Sequence, residues 1–181
     1  MTSQQPELNL FYPLNEFYEE AGIPLPDVSR VEDASVPAPY RSLLVHQRDM
    51  TPTVAVAYRR SVQLRVLKHT LRDNVFSRQI VLVLEGDEKP VVFGAIKIYL
   101  ERFPPEAQRL VQAMKQPLGT ILQTQGIVHA SRPEAYIQVM ADEVINGALR
   151  LTGRHRLFGR RNVLWSAAQE PLAQVVEILP P

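Results

Sequence analysis

Apolar and polar positions alternate from residue 61 onward. Ser61–His69 puts Val62, Leu64 and Val66 on one face and Gln63 and Arg65 on the other. That period of two predicts a strand. Val75–Leu84 and Val91–Leu100 are strongly β-forming, and Glu85–Pro90 between them has the composition of a hairpin turn. These two strands are expected to be antiparallel neighbours. Pro104-Pro105 then opens a helix over Glu106–Lys115, with Leu110, Val111 and Met114 at helical spacing, and Pro117 starts a shorter one ending at Gly126. Arg132–Asp142 reads as a strand and Glu143–Leu151 as a helix ending near Gly153. Arg161–Ser166 and Leu172–Leu179 form a last hairpin around Ala167–Pro171. Upstream, Tyr40–His46 predicts one or two helical turns. Asp49 or Thr51 is placed to cap a further short helix with Pro52 in its first turn. Strands joined by hairpins, with short helices between them, predict an α+β fold on an antiparallel sheet.

Residues 1–38 differ. Six of the 15 prolines fall between Pro6 and Pro39, and apolar periodicity is weak there. The segment is expected to be an extended Pro-rich arm, with one short helix near Asn15–Glu20, lying on the surface of a domain over 39–181. Phe11, Tyr12, Phe17 and Tyr18 argue against full disorder.

Composition narrows the chemistry. The chain has 181 residues, enough for one domain with a real core, and no cysteine. Thiolate metal sites, disulfides and cysteine nucleophiles are therefore excluded. A net charge of +1 gives no support to non-specific binding of nucleic acid or anionic membrane. No apolar run approaches the roughly 18 residues of a membrane span. The start, Met1–Glu7, shows no signal peptide, so a cytoplasmic protein is expected.

No phosphate loop, dinucleotide fingerprint or Gly-x-Ser-x-Gly elbow is present, and His46, His69, His129 and His155 have no metal-ligand spacing. Two charged residues stand out by position. Arg78 shares its strand face with Phe76, Ile80, Leu82 and Leu84. Its guanidinium stays charged and needs an anion or several acceptors. Glu177 shares a face with Ala173, Val175 and Leu179. It must be paired with a cation or neutralised by burial. Three arrangements accommodate them: a buried Arg78–Glu177 salt bridge, edge strands whose polar face meets solvent, or a pocket built on the sheet with a fixed cation and a tunable acid. The basic run Arg150, Arg154, Arg156, Arg160, Arg161 reads first as a solvated connection. A site that steers a small anion is the second reading, and nucleic-acid binding the third.

Four blocks then resemble the chorismate pyruvate-lyase family. They are Leu43-Leu44 with Asp49-Met50-Thr51, Arg78-Gln79-Ile80-Val81-Leu82 followed by Pro90 and Gly94, Pro117-Leu118-Gly119, and Gly159-Arg160-Arg161 before a closing hairpin that carries Glu177. Their order and approximate spacing agree over about residues 40–181, and the match is nearest to the branch of small lyase-like proteins of cyanobacteria and plastids. The resemblance implies an antiparallel sheet of about six strands with helices on one side, and a monomer or weak dimer. It implies an internal cavity that needs neither cofactor nor metal. Arg78 would bind the ring carboxylate. Glu177 would bond the ring oxygen where the enolpyruvyl ether is cleaved. Met50 and Leu118 would touch ligand from the wall, largely through backbone. The implied reaction converts chorismate to 4-hydroxybenzoate and pyruvate, usually for quinone synthesis. A Glu among Val and Leu is expected to hold a raised pKa, so that its neutral form donates to the ether oxygen. One departure concerns the residue after Gly94, often Arg in the family and Ala95 here. Lys97, two further on, is expected on the same face as that Arg. The same fold serves as the sensing domain of GntR-type regulators, so a non-catalytic binder of small aromatic acids is the alternative.

Overall fold

The structure, a computed structural model, describes residues 8–181. Met1–Glu7, where no signal peptide is read, lie outside the described residues. Six helices and seven strands follow in the order α1 (Leu14–Ala21), β1 (Val28–Val31), α2 (Ala38–Leu44), α3 (Met50–Tyr58), β2 (Val62–Arg72), β3 (Val75–Leu84), β4 (Pro90–Tyr99), α4 (Pro105–Gln112), α5 (Leu118–Thr124), β5 (His129–Met140), α6 (Glu143–Leu149), β6 (Arg156–Ser166) and β7 (Pro171–Leu179). The strands form one antiparallel sheet ordered β1-β5-β6-β7-β4-β3-β2. The α+β class is as expected. No helix among the described residues is long and apolar enough to cross a membrane.

Strand count and helix placement differ from what the resemblance implied. The seventh strand is β1, which pairs with β5 from Val28↔Val139 to Val31↔Tyr136. Helices cover both faces of the sheet. On one, Val81, Val83, Phe93, Ala95, Ile137, Val139, Val176 and Ile178 pack against α1 and α6. On the other, Phe76, Ile98, Ala173 and Leu164 pack against α4 and α5, while Leu64, Leu82 and Leu179 pack against α3 and the end of α2. The segment before residue 38 thus supplies core as well as surface. Phe11, Leu14, Phe17 and Tyr18 are all buried, and the Tyr18 hydroxyl donates to Asp142 Oδ1 at 3.1 Å. Asp142 in turn accepts from the Ile145 amide at 2.9 Å and caps α6. One side chain thereby joins the two helices of that face.

β7 runs between β4 and β6, and both neighbours come unusually close to it. Gly94 lies opposite Glu177, and Gly159 lies opposite Ile178. A Cβ at Gly94 would overlap the Val176 carbonyl, and one at Gly159 would overlap the Glu177 carbonyl. Two glycines thus let the sheet close around the strand that carries Glu177. Gly94→Ala is expected to cost about 2–3 kcal/mol, because backbone on both strands must shift to admit the methyl group. Chemical denaturation of the variant checks this, and wild-type stability would show that the strands can separate freely.

Candidate functional site

The cross-strand register places the charged residues. Arg78 on β3 lies opposite Ile96 on β4, which lies opposite Val175 on β7, which lies opposite Asn162 on β6. The next rung on the same face runs Ile80, Gly94, Glu177, Arg160. These two rungs floor a cavity of about 580 Å³ of atom-free space, counting its mouth. Leu64, Leu82, Val92 and Leu164 extend the apolar floor, and the roof is Asp49–Thr51 from the start of α3 with Pro117–Gly119 from the start of α5. The two roof segments touch, since a Cβ at Gly119 would lie 3.2 Å from Thr51 Oγ1. All four residues singled out from sequence, Arg78, Glu177, Met50 and Leu118, line this one cavity.

Arg78 is 1 % exposed, and among the described residues its only hydrogen bond is a long one, from Nη2 to the Gln116 carbonyl at 3.4 Å. Nε and Nη1 are buried without a partner among the described residues. Burial alone pushes its pKa down to about 10, so it remains a cation at neutral pH. A buried guanidinium with most of its donors unused is costly and unusual.

Glu177 is not the partner of Arg78. Its Oε2 accepts from Arg160 Nε at 2.7 Å. Arg160 is completely buried and well satisfied. Nη1 donates to the His46 carbonyl at 3.1 Å and more weakly to Leu44 O at 3.4 Å, and Nη2 donates to Arg48 O at 3.0 Å. Of the possibilities open from sequence, pairing with a cation is the one that holds for Glu177. The cation comes from the basic run, so that run is not uniformly a solvated connection. Arg154 and Arg156 are exposed, whereas Arg160 and Arg161 face opposite sides of β6 and are buried. Arg161 bonds Asn9 O at 2.6 Å and Gln174 Oε1 at 3.1 Å and pairs with Glu134. Lys97 lies on the α1 face, bonded to Glu16 at 2.7 Å, and adds no charge to the cavity.

His46 closes the back of the Arg160 cluster. Its Nε2 lies 2.7 Å from the Leu43 carbonyl and must donate, so Nδ1 accepts, taking the Arg48 amide at 3.1 Å. Burial first and the Arg160 charge second lower its pKa, which keeps that neutral form. Arg160 therefore ties Glu177 to the 44–48 segment that leads into the roof.

At the roof itself, Asp49 Oδ2 lies 2.7 Å from His129 Nε2, while His129 Nδ1 meets the Ile127 carbonyl at 2.9 Å. With both ring nitrogens facing acceptors, the imidazolium is favoured, and the hydrogen bond to Asp49 is the main cause of its raised pKa. A histidine with a raised folded-state pKa stabilises fully below its unfolded value of about 6.5, and that contribution is lost as pH rises through the folded value. The stability gap between wild type and His129→Gln is therefore expected to be larger at pH 6 than at pH 9. Thermal unfolding at the two pH values checks this, and a constant gap would mean the pair contributes without its charge.

No family model matches the chain, and no curated protein matches it. Solved structures do. The effector domain of PhnF from Mycobacterium smegmatis aligns at 15 % identity and TM-score 0.54, over 72 % of this chain and 87 % of that one. PhnF itself aligns at 15 % identity and TM-score 0.54, over 75 % of this chain and 65 % of that one. YydK of Bacillus subtilis, described as a possible transcriptional regulator, aligns at 9 % identity and TM-score 0.51, over 66 % and 58 %. At such identities the likeness shows the fold alone, an α+β architecture on an antiparallel sheet.

Proposed function

We propose that the cavity binds a small ring carboxylate on Arg78, and that the chain eliminates pyruvate from chorismate to give 4-hydroxybenzoate. The supporting observation is the buried guanidinium whose Nε and Nη1 have no partner among the described residues in a largely apolar cavity. A ligand carboxylate supplies anionic acceptors for these unused donors. Chorismate also needs a site for its ring oxygens, and Glu177 offers one: Oε2 takes Arg160, and Oε1 is left for the ligand. The role implied from sequence, donation by a neutral carboxyl, changes with this geometry. A carboxylate bonded to a buried guanidinium is an acceptor, suited to the ring hydroxyl that the product retains.

The chemistry balances without a cofactor. The C4 proton leaves, the ether C–O bond at C3 breaks with its electrons going to the enolpyruvate oxygen, and the ring becomes aromatic. Enolpyruvate then takes up a proton at its methylene carbon to give pyruvate. Aromatisation drives the step, so the protein's task is to hold a dianion in a reactive pose away from water. The first-turn N–H groups of α3 and α5, at Met50 and Leu118, lack intrahelical partners and side-chain caps, and they are the backbone donors for this pose.

The likeness to regulator effector domains favours a second reading, a non-catalytic binder of the same ligand class. Incubation of the protein with chorismate separates the two. Equal formation of 4-hydroxybenzoate and pyruvate, lost in Glu177→Ala, is the result expected of a lyase. Saturable binding of 4-hydroxybenzoate with neither product formed would leave the binder.

A further inference from the structure

The cavity holds a second unsatisfied polar group that neither ring carboxylate binding nor the role of Glu177 uses. Asn162 is 2 % exposed, lines the cavity and has no partner for Oδ1 among the described residues. Its orientation is set by a relay. Nδ2 donates to Ser131 Oγ at 2.9 Å, and Ser131 Oγ donates onward to the Arg48 carbonyl at 3.4 Å. Because Ser131 spends its only proton on Arg48, it needs the Asn162 amide as donor, which leaves the amide oxygen as the free end. A buried acceptor without a donor is costly in the empty protein and favourable once a ligand donor meets it. Asp49 Oδ1, in the roof of the same cavity, is a second acceptor without a partner among the described residues.

Position narrows the donor. Asn162 lies opposite Val175, and Glu177 is two residues further along β7 on the same face. The two are thus diagonal cross-strand neighbours, about 7–8 Å apart at the backbone, and both line the cavity. Arg78 is on the Asn162 rung but three strands away. At roughly 4.8 Å per strand this leaves room for one ring between the guanidinium and the Asn162–Glu177 end.

We infer that Asn162 is a specificity residue for a second ring hydroxyl, adjacent to the hydroxyl that donates to Glu177, so the cavity prefers a vicinal dihydroxy ring carboxylate to a monohydroxy one. This rests on the reading of the cavity as a ring-carboxylate site and does not depend on turnover. Asn162 acts here by accepting one hydrogen bond from the ligand.

Titration calorimetry of the full chain with 4-hydroxybenzoate and with 3,4-dihydroxybenzoate tests it. Wild type is expected to bind the dihydroxy acid about ten-fold more tightly, the effect of satisfying one buried acceptor. Asn162→Leu is expected to bind the two equally. Ser131→Ala, which frees the amide to turn, should weaken the preference and covers the case in which Asn162→Leu does not fold. Equal binding of both acids by wild type, or a preference that survives in Asn162→Leu, would overturn the role of Asn162 alone. Failure of both acids to bind wild type would overturn the ring-carboxylate reading with it.

Discussion

Replacing Arg78 with methionine is expected to make the ligand-free protein more stable and to abolish its binding of 4-hydroxybenzoate. The two effects share one cause. Arg78 is a fully buried cation with Nε and Nη1 unpartnered among the described residues, and burial alone depresses its pKa. The folded protein therefore carries its desolvation without compensation. An apolar side chain of similar length removes that cost, and a gain of about 1–2 kcal/mol is expected in denaturant unfolding. With ligand present the order reverses. Wild type gains charge-assisted hydrogen bonds, and the variant leaves the ligand carboxylate buried against methionine. Losing one side of such a pair costs about 2–5 kcal/mol, at least roughly 30-fold in Kd. A variant less stable than wild type and still able to bind would mean that Arg78 is structural. Stability given up at a site that binding later uses is a common trade-off in functional pockets.

Arg160→Met is expected to act in the opposite direction. It leaves the half-buried Glu177 beside the cavity without its cation and removes the donor to the His46 and Arg48 carbonyls. Breaking a buried pair from one side costs about 3–5 kcal/mol, or roughly 10 °C in thermal midpoint for a chain of this size. Arg160→Met/Glu177→Leu should recover part of that loss, because the double variant has no orphaned carboxylate. Equal loss in the single and double variants would mean that Arg160 stabilises only the 44–48 segment and that its pairing with Glu177 adds nothing.

The sequence made Arg78 and Glu177 visible because each breaks an otherwise apolar strand face with period two. Met50 and Leu118 came instead from the resemblance, since an apolar residue at the start of a helix carries no chemical signature. Arg160 was hidden for a different reason. It sits in Gly159-Arg160-Arg161-Asn162, where adjacent charges imitate a solvated turn. Starting the strand at Arg156 instead of Arg161 would have put Phe158, Arg160, Asn162 and Leu164 on one face and marked both polar residues as odd. β1 was missed because it is four residues long and follows Pro24 and Pro26. Its strand character comes from pairing with β5, more than 100 residues away. The same non-local packing brings α1 to the second face of the sheet, which local periodicity cannot show.

The most direct test of the central claim is a crystal structure of the protein soaked with 4-hydroxybenzoate. The carboxylate is expected within hydrogen-bond reach of the Arg78 guanidinium and the hydroxyl within reach of Glu177. A ligand seated elsewhere, or an empty cavity in which a protein group has moved to satisfy Arg78, would contradict it.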